Sequence, residues 1–198
     1  MATTSDAGRH LRADAQENYE RILAAATTVL ARDGSDAPLT TIAAEAGVGI
    51  GTLYRRFPTR EHLMEAVHRN KVIELSETAP RVLADTTSAV TAMRMWADGF
   101  VELLIESRGV TAAIRPLLAP GSAFRTDTRE SLIEAIALIL ERGSQTQTLR
   151  SDVDPIDILR FLTGIAYVSQ SIDDARVPID LFVDGLAYVH ERPRPAQR

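Results

Sequence analysis

An all-helical fold in two parts is what this sequence predicts, and three observations predict it. Apolar residues recur at helical spacing almost throughout, no stretch alternates as a strand does, and two short helical segments meet across a glycine turn near the amino terminus. The expected parts are a three-helix helix-turn-helix domain over residues 14–70 and a second helical domain over 71–191. Residues 1–13 and the tail 192–198, polar or proline-rich, are expected to be disordered.

The first helix reads from Asp14, which with Glu17 forms a variant capping box. Tyr19, Ile22, Leu23, Ala26, Val29 and Leu30 then share a face until Asp33 and Gly34 stop it. Thr40 or Thr41 is the expected cap of a two-turn helix carrying IAAEA, which Gly47 ends. A third helix carries IGTLYRR, with Leu53 and Phe57 four apart and pointing inward, and Pro58 stops it. Thr59 caps a fourth, with Glu61 in its first turn and Leu63, Ala66, Val67 and, weakest by spacing, Ile73 as its expected buried stripe. Beyond residue 71 the punctuation is Pro80, 86–88, Gly109, 116–122, 151–155 and Pro178. Helices are expected between these marks, at 89–107, 110–118, 128–142, 155–171 and 178–190.

Composition bounds the function. At 198 residues, 45% hydrophobic and 25% charged, the chain is of ordinary globular type. No run approaches the roughly 18 apolar residues of a membrane helix, and MATTSDAGRHLRADAQ lacks the apolar core of a signal peptide, so the cytoplasm is expected and no membrane partner. The absence of cysteine removes disulfides, thiolate metal sites and a cysteine nucleophile. A net charge of −5 argues against coating nucleic acid broadly, so any DNA contact must be local.

One local concentration exists. GTLYRRFPTR, residues 51–60, holds three arginines and no acidic residue. If the third helix enters a major groove, Arg55, Arg56 and Arg60 flank it where phosphates lie, and the Tyr54 hydroxyl can donate to a phosphate oxygen. Gly51 costs a helix about 1 kcal/mol relative to alanine, which points to close backbone approach by a base edge or sugar. The plain alternative is that the arginines form a solvated face and Gly51 packs on a neighbouring helix.

From about residue 22 to 67 the order ILAAATTVLARDG, then LTTIAAEAGVGIGTLYRRFPTREHLMEAV, closely resembles the TetR family of bacterial transcriptional regulators. The resemblance covers about a quarter of the chain. It implies a homodimer that binds palindromic double-stranded DNA through the first domain. It also implies a second domain that dimerises and holds a small-molecule effector, which usually lifts repression. By the same resemblance Thr40 or Thr41 takes a phosphate-contacting position, Tyr54 matches the recognition-helix tyrosine, and Arg60 stands where a phosphate-contacting lysine is usual. Ile50, Gly51, Thr52 and Arg55 take positions that face bases. There Arg55 can read guanine O6 and N7, and the Thr52 methyl can meet a thymine methyl. Gly49 departs from the family's usual serine or threonine, losing a side-chain cap.

In the second domain the resemblance implies an effector pocket, for which the candidates are Met93, Trp96 and Phe100 on one helix face, with Arg115, Phe124 and Tyr167 as polar or aromatic walls. The alternative for the first three is plain core packing. The last two helices are apolar on most sides, which calls for burial on most sides and hence a partner subunit. Ile158, Leu162, Ile165, Phe182, Leu186 and Val189 are the expected dimer residues. A two-helix reader needs that dimer, since one short helix touches too few base pairs.

No catalytic, metal or cofactor constellation emerges. His10, His62, His68 and His190 do not pair at helical ligand spacing, GVGIG lacks dinucleotide spacing, and no serine sits in a nucleophile elbow. Asp152, Asp154 and Asp157 read as caps. The competing readings are a small-molecule binding or scaffold protein with a helix-turn-helix that does not bind DNA, and an all-helical enzyme. Activation, or repression that needs a corepressor, stays open within the regulator class.

Overall fold

In the computed structural model, residues 4–107 and 123–187 are described, with side chains from residue 14 in the first stretch and from 127 in the second. The described residues form eight helices: α1 (Thr4–Asp33), α2 (Leu39–Glu45), α3 (Ile50–Arg56), α4 (Arg60–Asp85), α5 (Ala89–Glu106), α6 (Ala123–Gln145), α7 (Pro155–Val168) and α8 (Ile172–Leu186). The fold is all-α, as expected. Among the described residues no helix is long and apolar enough to cross a membrane. The chain divides after Asn70 into two compact units.

In the first unit α1 packs on α2 and α2 on α3. Ile22, Ala26 and Val29 of α1 meet Ile42 and Ala43 of α2, Leu53 of α3, Phe57, and Leu63 and Val67 of α4 in one buried cluster. Small residues at the centre let seven-residue helices approach closely; neither α2 nor α3 would persist alone, so packing rather than propensity holds them.

In the second unit α5 is central, with α6, α7 and α8 all packed against it. Its core joins Val72, Leu75 and Ala79 of α4 to Met93, Trp96 and Phe100 of α5, Ile136 and Ile139 of α6, Ile158 and Leu162 of α7, and Ile179 and Val183 of α8. Arg94 of α5 pairs with Asp180 and, at 2.9 Å, with Asp184, tying α8 to α5 at the surface. The loop after α6 doubles back: Leu149 forms an isolated antiparallel bridge with Ala187, and the Arg150 amide donates to the Leu186 carbonyl at 2.9 Å. Gly143 is required there, because a Cβ on it would stand 2.5 Å from Leu149.

Several boundaries differ from expectation. α1 starts at Thr4, so the segment from residue 4 to 13 is helical rather than a disordered arm, and Asp14 lies inside the helix. Residues 4–13 contain no proline, so no ring clash stops the helix at Asp14. Pro80 does not punctuate: α4 continues to Asp85 because Ala79, Val82 and Leu83 pack on the core. That packing outweighs the one hydrogen bond a proline removes. Pro178 lies inside α8, whose true start is the Ser171 cap accepting from the Asp174 amide, with Asp173 and Asp174 in the positive first turn. The preceding helix stops at Val168, where the buried Ser169 hydroxyl donates to the Ile165 carbonyl. The expected helix 110–118 and the tail 192–198 lie outside the described residues.

Candidate nucleic-acid interface

The turn between α2 and α3 follows from its glycines. Gly47 takes φ +64°, its amide donates to the Ala44 carbonyl at 3.1 Å, and the Val48 amide reaches back to Ala43 at 3.0 Å. That pair of bonds is a Schellman ending, open to glycine because other residues resist the left-handed region. α3 restarts two residues later from an extended Gly49 that offers no side-chain cap. Leu53 and Phe57 then turn inward, both nearly inaccessible, and this fixes which face α3 shows to solvent.

That outward face carries Ile50, Gly51, Tyr54 and Arg55, all exposed, with Thr52 half-buried. A Cβ placed on Gly51 would meet nothing within 4 Å. No described helix of the chain therefore requires glycine at this position. Arg55 folds along the helix, its Nη2 donating to Thr52 Oγ1 at 3.1 Å.

The other two arginines are engaged. The guanidinium of Arg56 lies 4.5 Å from the centre of the Tyr19 ring, which itself stacks on Phe57 at 5.6 Å. Tyr19 was expected only as part of a buried stripe; its role as a platform for Arg56 depends on where α1 passes α3, which spacing along the chain does not encode. Arg60 turns toward the loop before α2, where Nη1 donates to the Ser35 carbonyl at 2.6 Å and Nη2 to Ala37. Its head is thus a loop clamp in this structure, in place of the free phosphate-facing charge expected. Those loop carbonyls lie beyond any helix and need a donor, which a forked guanidinium supplies.

Thr40 and Thr41 lie inside α2 and do not cap it; Pro38 holds the cap position without a side-chain bond. Thr40 is exposed in the first turn and Thr41 half-buried. Thr59 does sit at the start of α4, its hydroxyl 2.9 Å from His62 Nδ1. The Thr59 hydroxyl, followed by the backbone there, holds the Glu61 carboxyl below its usual range.

Of the residues expected to line an effector pocket, Met93, Trp96 and Phe100 are buried in the second core, with the Trp96 and Phe100 rings parallel at 5.6 Å. Tyr167 is 87% exposed and lines no interior space; it falls on the outer side of α7, opposite Leu162 and Ile158. Arg115 and the side chain of Phe124 lie outside the described residues. Of the expected dimer residues, Ile158, Leu162, Ile165 and Leu186 are buried within the chain itself. Phe182 is half-buried and stacks on Phe161 at 4.5 Å, and Val189 lies outside the described residues. The exposed apolar residues of α7 and α8 are instead Phe161, Tyr167, Val168, Val177 and Leu181. Gly164 and Gly185 lie on the same outer faces, each with open space where a Cβ would stand. Among the described residues no cluster of His, Cys, Asp or Glu could hold a metal ion.

Comparison with known proteins agrees with this geometry. Residues 22–67 match the model of the bacterial regulatory proteins of the tetR family, a span holding the turn and all of α3. A TetR transcriptional regulator of Streptomyces coelicolor is similar over 85% of this chain and 98% of its own, at 38% identity and a TM-score of 0.71. An HTH-type transcriptional regulator of Staphylococcus aureus is 35% identical over 81 residues; the match covers 40% of this chain and 42% of that curated relative. The transcriptional regulator FadR of Bacillus subtilis, solved in complex with stearoyl-CoA, shares the fold over 85% of this chain and 99% of its own, at 18% identity and a TM-score of 0.57. With the helix-turn-helix in place and likeness running through both units, this chain belongs to the TetR family of bacterial transcriptional regulators.

Proposed function

We propose that the protein is a homodimeric, sequence-specific repressor that acts in the cytoplasm and leaves a palindromic operator when a small molecule binds its second unit. The observation that carries the DNA-binding part is the outward face of α3, where Gly51 has no neighbour among the described residues and stands beside Tyr54 and Arg55. A glycine on an exposed helix face sacrifices helix stability, and close approach of a duplex backbone or base edge gives the reason to keep it. Tyr54 offers a phenolic donor to phosphate. Arg55, positioned by Thr52, presents the rest of its fork to guanine.

Dimerisation is supported by the apolar face on α7 and α8. Phe161, Val168, Val177 and Leu181 are each more than half exposed, and Gly164 and Gly185 leave room for a partner helix to approach. A second copy related by a two-fold axis would present the same face and bury it. The effector reading is supported by the buried aromatic group on α5. An effector can release the operator only by as much as it prefers the arrangement that cannot hold DNA.

Selection of bound duplexes from a random pool at near-physiological salt tests the proposal. An enriched inverted repeat is the expected result. Weak binding without sequence preference would replace the inducible-repressor reading by a corepressor-dependent regulator or a ligand-binding module.

A further inference from the structure

The three arginines of residues 51–60 differ in what their planar heads have left to give. A guanidinium carries five N–H donors and no acceptor, so its capacity for an oxyanion is set by the donors not already taken. Arg60 has given Nη1 to the Ser35 carbonyl and Nη2 to the Ala37 carbonyl. Arg55 has given a bond from Nη2 to Thr52 Oγ1. Arg56 is exposed in the last turn of α3, and among the described residues no oxygen accepts from it and no carboxylate pairs with it. What holds it is the Tyr19 ring, over which its guanidinium carbon lies 4.5 Å from the centre.

Tyr19 is itself fixed. It is half-buried on α1 and stacks on Phe57, with ring centres 5.6 Å and planes 26° apart, and Phe57 is only 4% exposed. Phe57 follows Arg56 directly in the chain, so the residue that anchors the end of α3 also anchors the ring on which Arg56 rests. A ring face attracts a cation without using up an oxygen acceptor, and a guanidinium suits it better than the compact, strongly hydrated head of lysine. Holding so long a side chain in place before a ligand arrives removes part of the ordering cost that a loose arginine meets on binding.

We infer that Tyr19 is a positioning residue for DNA binding: its ring face holds Arg56 ready, so that the unspent N–H groups meet a backbone phosphate at the end of α3. Arg56 is then the sequence-independent contact among the three arginines, and Tyr19 acts through it without touching DNA. This rests on the DNA-binding reading above and adds to it a residue of α1, outside the helix-turn-helix.

Because a phosphate contact is indifferent to sequence, the test needs no operator. The full chain is titrated into a fluorescein-labelled, mixed-sequence duplex of about 30 base pairs at salt from about 50 to 200 mM, and the slope of log K against log salt is recorded beside the affinity. Arg56→Ala should lower that slope by about one for each recognition helix bound. Tyr19→Leu, which keeps an apolar side chain against Phe57, should weaken binding about fivefold per recognition helix, the ordering cost of one side chain, at a nearly unchanged slope. Tyr19→Phe, which keeps the ring face and removes the hydroxyl, should bind within about twofold of the wild type. In the Arg56→Ala background Tyr19→Leu should change nothing further, a result that packing on Phe57 alone would not give. Circular dichroism melts of every variant set the titration temperature well below the lowest midpoint. The inference is overturned if Arg56→Ala leaves the slope unchanged, if Tyr19→Leu costs nothing, if its cost persists without Arg56, or if Tyr19→Phe loses as much as Tyr19→Leu. Any of these outcomes with a wild-type chain that binds the duplex leaves the DNA reading standing. A wild-type chain that binds no duplex at any salt removes both.

Discussion

The two units leave large side chains in water in opposite ways. On α3 the exposed set is Ile50, Tyr54, Arg55 and Arg56 around an open Gly51; on α7 and α8 it is Phe161, Tyr167, Val168, Val177 and Leu181. A cationic face that can donate hydrogen bonds suits a polyanion whose own groups need partners. A face of exposed apolar side chains suits a second hydrophobic surface, since water is what both sides must lose. The contrast suits the two units to different kinds of partner. It also separates two uses of glycine, open at Gly51 and tightly enclosed at Gly143.

The largest test of the contrast falls on α8. Leu181→Asp places a charge on the apolar face while leaving the buried core untouched. The variant should keep its helical content, run as a monomer in sedimentation, and bind operator at least about 100-fold more weakly, because one half-site alone gives too few contacts. A wild-type chain that is itself monomeric would break the comparison outright. Next comes Gly143→Ala, where the added methyl collides with Leu149; overpacking of this kind should lower unfolding free energy by about 1–3 kcal/mol in denaturant melts. An unchanged midpoint would mean that the loop yields.

Arg55→Ala should cost about 1–3 kcal/mol per contact and erase preference at one position in each half-site, measured on a panel of single-base operator variants. A uniform loss across the panel would move Arg55 from base reading to phosphate contact. Arg60→Ala should lower stability by about 1 kcal/mol by freeing the Ser35 and Ala37 carbonyls, and should leave the slope of log K against log salt nearly unchanged. A slope that fell by about one per half-site, at unchanged stability, would return Arg60 to phosphate. The smallest effect, and the most discriminating, belongs to Gly51→Ala. It should stabilise the free protein by up to about 1 kcal/mol and weaken operator binding, two changes of opposite sign. Gain on both counts would remove the case for close approach at Gly51.

The helix-turn-helix was legible because its signals are local. Gly34 and Gly47 stand at helix ends in the left-handed region, Pro58 follows α3, and Leu53 and Phe57 set its inward face. The face of α7 was not legible, because Ile158, Phe161, Leu162, Ile165 and Val168 are apolar all round and give periodicity no phase; only packing on α5 says which side is inside. The loop partners of Arg60 were not legible for a related reason. Its partners are carbonyls more than twenty residues away, invisible to any local pattern. Pro80 and Pro178 show the limit of punctuation, since tertiary packing carried both helices through them.

The open positions at Gly164 and Gly185 bear on how such proteins could be multiplied without confusion. On a self-pairing surface, each is a notch that one copy can fill and another must make room for. A bulky residue at Gly164 in one lineage, matched by trimming at Phe161 or Leu181 in the same chain, yields a lock that no longer accepts the parental key. Two duplicated regulators could therefore part company through a pair of substitutions far from DNA, each keeping its operator while ceasing to mix subunits with the other.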